Sequence, residues 1–150
     1  LEDYYLEHIV LCLSDGLLAQ CGIDLDTHRG EIAAGNLSAL RGCPFVLGSA
    51  EDIGGRIGRG LLRSSGVSPV SKATSENVET LLALCAQGVG ACFCPENLLH
   101  TALSPAQLAH LHILPLCPEA SYPICFGYLS RSYPWSVLSE FIRIAREQTA

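Results

Sequence analysis

The chain has 150 residues, 49% of them hydrophobic and 16% charged, with a mean hydropathy of +0.31 and a net charge of −6. That length suits one domain or a small two-lobed one, and the apolar balance suits a buried sheet covered by helices better than a solvated bundle. The nine basic residues leave the chain poorly equipped to replace the counterions of a nucleic acid, and no apolar run approaches the roughly 18 residues of a membrane span.

The opening stretch LEDYYLEHIV lacks a basic region and a small-residue cleavage site, so nothing in it reads as an export signal. With eight cysteines in a chain this long and apolar, we expect reduced thiols in a cytoplasmic protein rather than a secreted disulfide scaffold. HIVLCLS (8–14) is a continuous apolar run ended by Asp15 and Gly16, which reads as a buried strand and a turn. A short helical piece then stops at Gly22. From Ile23 to Asn36 the apolar pattern disappears, which suits a crossover or hinge. Ser38 is placed to cap a short helix before a strand over 44–48.

The next segment is helical by its apolar spacing at Ile53, Ile57 and Leu61, with Glu51 and Asp52 in its first turn. Four glycines inside it oppose that reading by roughly 1 kcal/mol each against alanine. Neither dinucleotide nor P-loop glycine spacing is present. Arg56, Arg59 and Arg63 recur at near-helical spacing and are best read as a solvated face. A short strand ends near Ala73, and Thr74 or Ser75 is placed to cap a helix with an apolar face of Val78, Leu81, Leu82 and Cys85. Gly88 ends that helix, 89–94 is the next strand, and Pro95 suits a first helical position. Ser104 and Pro105 open another short helix, and HILPL and YPICFGYL read as strands. The last segment is the clearest helix, with a stripe of Trp135, Leu138, Ile142 and Ala145, Phe141 beside it, Ser132 before it, and Arg143 and Arg146 near its end. Strands alternating with helices define an α/β fold.

Cys92-x-Cys94 is the closest cysteine pair, and a strand puts two such side chains on one face without any metal. Free cysteine packs as a small hydrophobe, so the thiols are expected to be structural, with no metal ligands assigned. The pair His110-x-His112 straddles a helix end. No nucleophile elbow, zincin helix or local cysteine-protease signature occurs, so no enzyme and no cofactor is expected. What remains is a row of helix starts after strands, at 48–52, 73–77 and 94–97. In a parallel sheet these share the carboxyl edge, where open α/β folds bind ligands. Ser49, Thr74 and Ser75 are hydroxyl donors there beside unpaired amides that favour an anion.

The order CPFVLG, LLRSSGVSP, ATSENVETLLALCAQGVGACFCPENLL and YPICFGYLSRSYPWSVLSEFIRIARE resembles the effector-binding domain of LysR-type transcriptional regulators. The core of the match is the capped helix followed by Gly88, Gly90 and Pro95. The resemblance implies an α/β fold of periplasmic-binding-protein type II, with two Rossmann-like lobes and a small effector in the cleft. Residues 1–28 with 128–150 would be lobe I, incomplete in this chain, and 29–127 lobe II. Ile23–Asn36 and Pro123–Tyr128 would be the crossovers. Ser49, Thr74, Ser75 and Pro95 carry over as effector-binding residues. A homo-oligomer and a DNA-binding helix-turn-helix outside this chain are also implied. The segment where peroxide-sensing relatives place a reactive cysteine, GSAEDIGGRIGRGLL, contains none. The rival readings are a transport solute-binding protein, a thiol or metal sensor, and a lobe that serves dimerisation alone.

Overall fold

The structure is a computed structural model that describes residues 1–129 and 135–149. The chain divides into two compact units, one of Leu1–Glu7 with Ser121–Ala150 and one of His8–Ala120.

The larger unit begins inside β1 (Glu2–Ser14), which starts six residues earlier than its apolar run suggests because its first half is only partly covered. Ser14 ends the strand and caps α1 (Asp15–Cys21), its hydroxyl accepting from the Leu17 amide at 3.1 Å. The supposed crossover Ile23–Asn36 is instead mostly helix: α2 (Leu25–Ala33) starts at Asp24, whose carboxylate accepts from the Asp26 amide. Only Leu25 and Ile32 of α2 are buried, two turns apart, so periodicity gives almost no signal. Ser38 does not cap a helix; it opens a 3-10 turn (Ser38–Leu40) and its own amide is bound by Asn36 Oδ1.

The remaining elements of this unit are β2 (Pro44–Gly48), α3 (Ile53–Ser64), β3 (Val70–Ser75), α4 (Val78–Ala86), β4 (Cys92–Pro95), α5 (Leu99–Ala102), α6 (Pro105–Leu108) and β5 (Leu111–Pro115). β2 and β3 pair in parallel, and Phe45 and Ala91 form a parallel bridge that carries β4 alongside β2. β1 runs antiparallel to both β4 and β5, so the sheet is mixed rather than all parallel. Alternation sends Val46, Cys92 and Cys94 to the α4 face, where Leu81, Leu82 and Cys85 cover them. Phe45 and Phe93 take the other face, stacked with centroids 5.8 Å apart, under α3. With both faces covered, β2 is buried over four of its five residues.

The glycines of α3 explain how it lies on the sheet. Its buried residues are Gly54, Gly58 and Leu62, spaced i, i+4, i+8, with Gly55 beside them. The expected stripe Ile53, Ile57 and Leu61 is therefore offset by one residue: Ile53 is exposed and the other two are half-buried. A Cβ at Gly58 would come within 2.3 Å of the Phe93 ring, and one at Gly55 within 2.2 Å of the Ser49 carbonyl oxygen. The helix accepts the propensity cost because only glycine permits this approach. Gly90 serves β4 in the same way, with Phe45 backbone atoms 2.7 Å from its would-be Cβ.

The smaller unit contains the first residues of β1, β6 (Ser121–Phe126), which pairs with β1, and α7 (Ser136–Glu147). Tyr4 packs on Phe126, and Phe126 meets Phe141 edge to face at 5.8 Å. Arg146 reaches Glu2 at 3.0 Å, and the Tyr128 hydroxyl donates to the same carboxylate. Ile142 is buried, Leu138 and Ala145 are half-buried, and Trp135 and Phe141 remain exposed. Ser132, expected before this helix, lies outside the described residues.

Candidate ligand-binding edge of the larger unit

The carboxyl ends of β2, β3 and β4 lie along one edge of the larger unit. The parallel register puts Gly48, the residue before Ser49, opposite Ser75, although the two paired residues are 27 positions apart in sequence. Each serine makes the same local turn. Ser49 Oγ accepts from the Glu51 amide at 3.1 Å, and Ser75 Oγ accepts from the Asn77 amide at 3.0 Å. A hydroxyl oxygen so engaged still has its proton to donate. Thr74 does not join them: alternation along β3 sends it to the opposite face, and it is exposed. Pro95 closes β4 opposite Ile9 of β1 and is followed by a 3-10 turn (Glu96–Leu98), so it ends a strand rather than opening an α-helix.

The helix caps differ from expectation. Neither Thr74 nor Ser75 caps α4; Asn77 does, its Oδ1 accepting from the Thr80 amide at 3.1 Å. Asp52 precedes α3 as its cap and accepts from the Gly55 amide at 3.0 Å. Sequence reasoning stops at the first eligible hydroxyl, whereas both loops spend their serine on a turn and leave capping to the next Asp or Asn. Asp52→Ala is expected to cost about 0.5–2 kcal/mol in a denaturant titration. Asp52→Asn keeps the acceptor and is expected to cost less. Equal losses would assign the effect to the charge instead of the cap.

Asp52 also puts a carboxylate where the bare helix start would attract an anion. The counterweight is Arg59, which was expected to lie on a solvated face. It is half-buried, and its Nη2 donates to the Gly48 carbonyl at 2.9 Å, while its buried Nε has no partner among the described residues. The clue available in the sequence was its place one residue after Gly58, on the margin of the stripe facing the sheet. Arg59 also lines a cavity of about 360 Å³ with Arg63, Gly66, Val67, Ser68 and Pro69. That cavity lies toward the α3–β3 turn and includes none of Ser49, Thr74, Ser75 or Pro95.

The thiols and histidines lie elsewhere. None of the eight cysteines forms a disulfide; Cys12, Cys43, Cys85, Cys92 and Cys94 are buried, and Cys21, Cys117 and Cys125 are partly exposed. Hydrogen bonding to Cys12, Cys85 and Cys94, reinforced by burial, holds the Cys92 thiol well above its usual range. At Cys12 a hydrogen bond with Cys92 acts downward, but Cys94 and burial outweigh it and the thiol is likewise raised. Burial first, then neighbouring Cys21, pushes Cys43 up to about 12. These groups stay protonated at neutral pH and are poor nucleophiles. Asp15 sits 2.5 Å from His112 Nε2 and 3.3 Å from His110 Nδ1, and the two imidazoles hold its carboxyl below the usual range.

A mixed sheet with helices on both faces and hydroxyls at its strand ends defines an α/β domain. The chain belongs to the LysR substrate-binding domain family, whose sequence model matches residues 3–150. That family has the periplasmic-binding-protein type II fold. The structure is similar to the effector-binding domain of QuiR in complex with shikimate, at 12% identity and a TM-score of 0.64, covering 98% of this chain and 63% of that one. It is similar to the CcmR regulatory domain of Synechocystis PCC6803 in complex with 2-PG, at 12% identity and a TM-score of 0.64, covering 99% and 65%. HinK, a LysR family transcriptional regulator from Pseudomonas aeruginosa, matches at 16% identity and a TM-score of 0.66, covering 99% and 47%. The chain thus spans from about half to two thirds of these structures. No curated protein matches it by sequence. Among the described residues no helix is long and apolar enough to cross a membrane.

Proposed function

We propose that the chain is the effector-sensing part of a LysR-type transcriptional regulator, and that its effector is a small organic anion. The observation that carries this reading is the pairing of Gly48 with Ser75. It puts Ser75 beside the end of β2 that leads into Ser49, where Arg59 binds the Gly48 carbonyl. Pro95 would bound the site on the β4 side, and Thr74 would act from the other face. The ligands named for QuiR and CcmR, shikimate and 2-PG, support a small effector of this kind. The implied cleft has this edge as its wall in the larger unit. Effector binding would bias a two-state equilibrium in a cytoplasmic homo-oligomer, and a helix-turn-helix outside this chain would read it on DNA. The ligand can shift that equilibrium only by its difference in affinity for the two states.

Thermal unfolding of the protein against a panel of small carboxylates that includes shikimate tests the proposal. A ligand at 100 times its Kd stabilises by about 2.7 kcal/mol, or roughly 5–11 °C for a domain of this size. Ser49→Ala and Ser75→Ala are each expected to weaken the responding ligand by roughly 10- to 150-fold, the value of one hydrogen bond to a charged group. A panel in which nothing stabilises, or a response that both variants keep in full, sinks the assignment.

A further inference from the structure

The cysteines of the larger unit do more than fill its core. β1 and β4 pair with Cys12 directly opposite Cys92, and Cys94 lies two residues along on the same face. Cys12 Sγ and Cys94 Sγ are 3.6 Å apart, and the sulfurs of Cys12, Cys92 and Cys94 all lie within 4.8 Å of one another. A fourth sulfur comes from α4: the Cys85 thiol donates to the Cys12 carbonyl oxygen at 3.3 Å. All four residues are fully buried. A metal–sulfur bond of about 2.3 Å separates the sulfurs of a tetrahedral site by roughly 3.8 Å and those of a trigonal site by roughly 4.0 Å. The 3.6 Å between Cys12 and Cys94 is close to both values and the other separations stay within 4.8 Å, so one ion can reach three sulfurs with small side-chain rotations. Apolar packing alone requires no such convergence, since valine or alanine on the same face would serve it equally.

We propose that Cys12, Cys92 and Cys94 form a binding site for a soft monovalent cation, Cu(I), with Cys85 as an additional sulfur above them. The donor set selects the ion. No carboxylate or imidazole belongs to the cluster, which is walled by Val10, Val46, Leu81, Leu82 and Leu99, so hard oxygen-seeking cations find no ligands. Zn(II) asks for four ligands in a tetrahedron, whereas three sulfurs lie within 4.8 Å of one another here and the Cys85 thiol is turned to the Cys12 carbonyl; three soft thiolates satisfy Cu(I). Each copper–sulfur bond made to a thiolate replaces an S–H bond, whose proton leaves to solvent; neither copper nor sulfur changes oxidation state. With the sulfurs sealed from solvent, loading is coupled to folding.

The test unfolds the reduced protein without oxygen and refolds it with one equivalent of Cu(I) and a competing coloured Cu(I) chelator. One copper retained per chain, with sulfur-only coordination by X-ray absorption, is expected of the wild type. The same is expected of a variant lacking the partly exposed thiols through Cys21→Ser, Cys117→Ser and Cys125→Ser. Cys94→Ser is expected to weaken retention by more than about 100-fold, beyond the 10- to 100-fold typical of changes outside a metal's direct ligands. If Cys94→Ser does not fold, the surface-thiol variant decides alone: copper retained there supports the site, and copper lost there overturns it. Copper surrendered to the chelator by the wild type, or held equally by folded Cys94→Ser, also overturns it. None of these outcomes depends on the effector site.

Discussion

Gly55→Ala is expected to destabilise the larger unit by about 1–3 kcal/mol or more, the usual cost of forcing a methyl into a packed contact. The added Cβ would lie 2.2 Å from the Ser49 carbonyl oxygen and 3.0 Å from the Gly48 carbonyl carbon. Both are backbone atoms, so no rotamer change relieves the overlap. Alanine's helical advantage, about 1 kcal/mol, opposes this loss and is the smaller effect. Gly60 in the same helix supplies the control, since a Cβ there meets nothing within 4 Å. Gly60→Ala is expected to stabilise by roughly 0.4–1 kcal/mol. At about 2–4 °C per kcal/mol, melting curves should move the two variants in opposite directions. A fall in both would mean that α3 is limited by propensity and not by its approach to the sheet.

Phe45→Ala is expected to cost about 3–5 kcal/mol, the range for deleting a buried aromatic ring. Phe45 is fully buried, and it stacks on Phe93 with an angle of 9° between the rings. The space cannot readily close, because Phe93 is held from the other side by Gly58, and Gly90 already presses on the Phe45 backbone. That loss is a large share of the 5–15 kcal/mol that holds an ordinary domain folded. A denaturant titration gives the value. A cost under about 1.5 kcal/mol would show that the α3 face of the sheet repacks freely.

Much of this architecture is written locally. Val78, Leu81, Leu82 and Cys85 declare α4 by spacing alone, and Gly88 takes the positive φ that ends it. β2 and β4 are apolar runs of the right length. α2 is illegible because a helix lying on the rim of a unit needs few apolar contacts, here Leu25 and Ile32. The first half of β1 is missed for a related reason: it is half-covered, and its side chains mix acids with tyrosines. The candidate site is harder to read. Ser49 and Ser75 stand out as hydroxyls at strand ends, but that the ends of β2 and β3 lie side by side comes from their register, which no local pattern states. Arg59 lies outside the reach of local reasoning as well, since its carbonyl partner is 11 residues away. The cysteines show the same divide. C-x-C spacing announces a shared face, while the convergence with Cys12 depends on a pairing across 80 positions.

β1 is one unbroken strand whose residues belong to both compact units. The smaller unit has under about 40 residues, a size at which a chain rarely holds itself folded, and only Glu7 and Ile142 are buried among its described residues. In the larger unit the second half of β1 is held between β4 and β5. Local fraying is therefore expected first in the smaller unit, which buries few side chains, and hydrogen exchange should show its amides opening before those of the larger unit's buried strands.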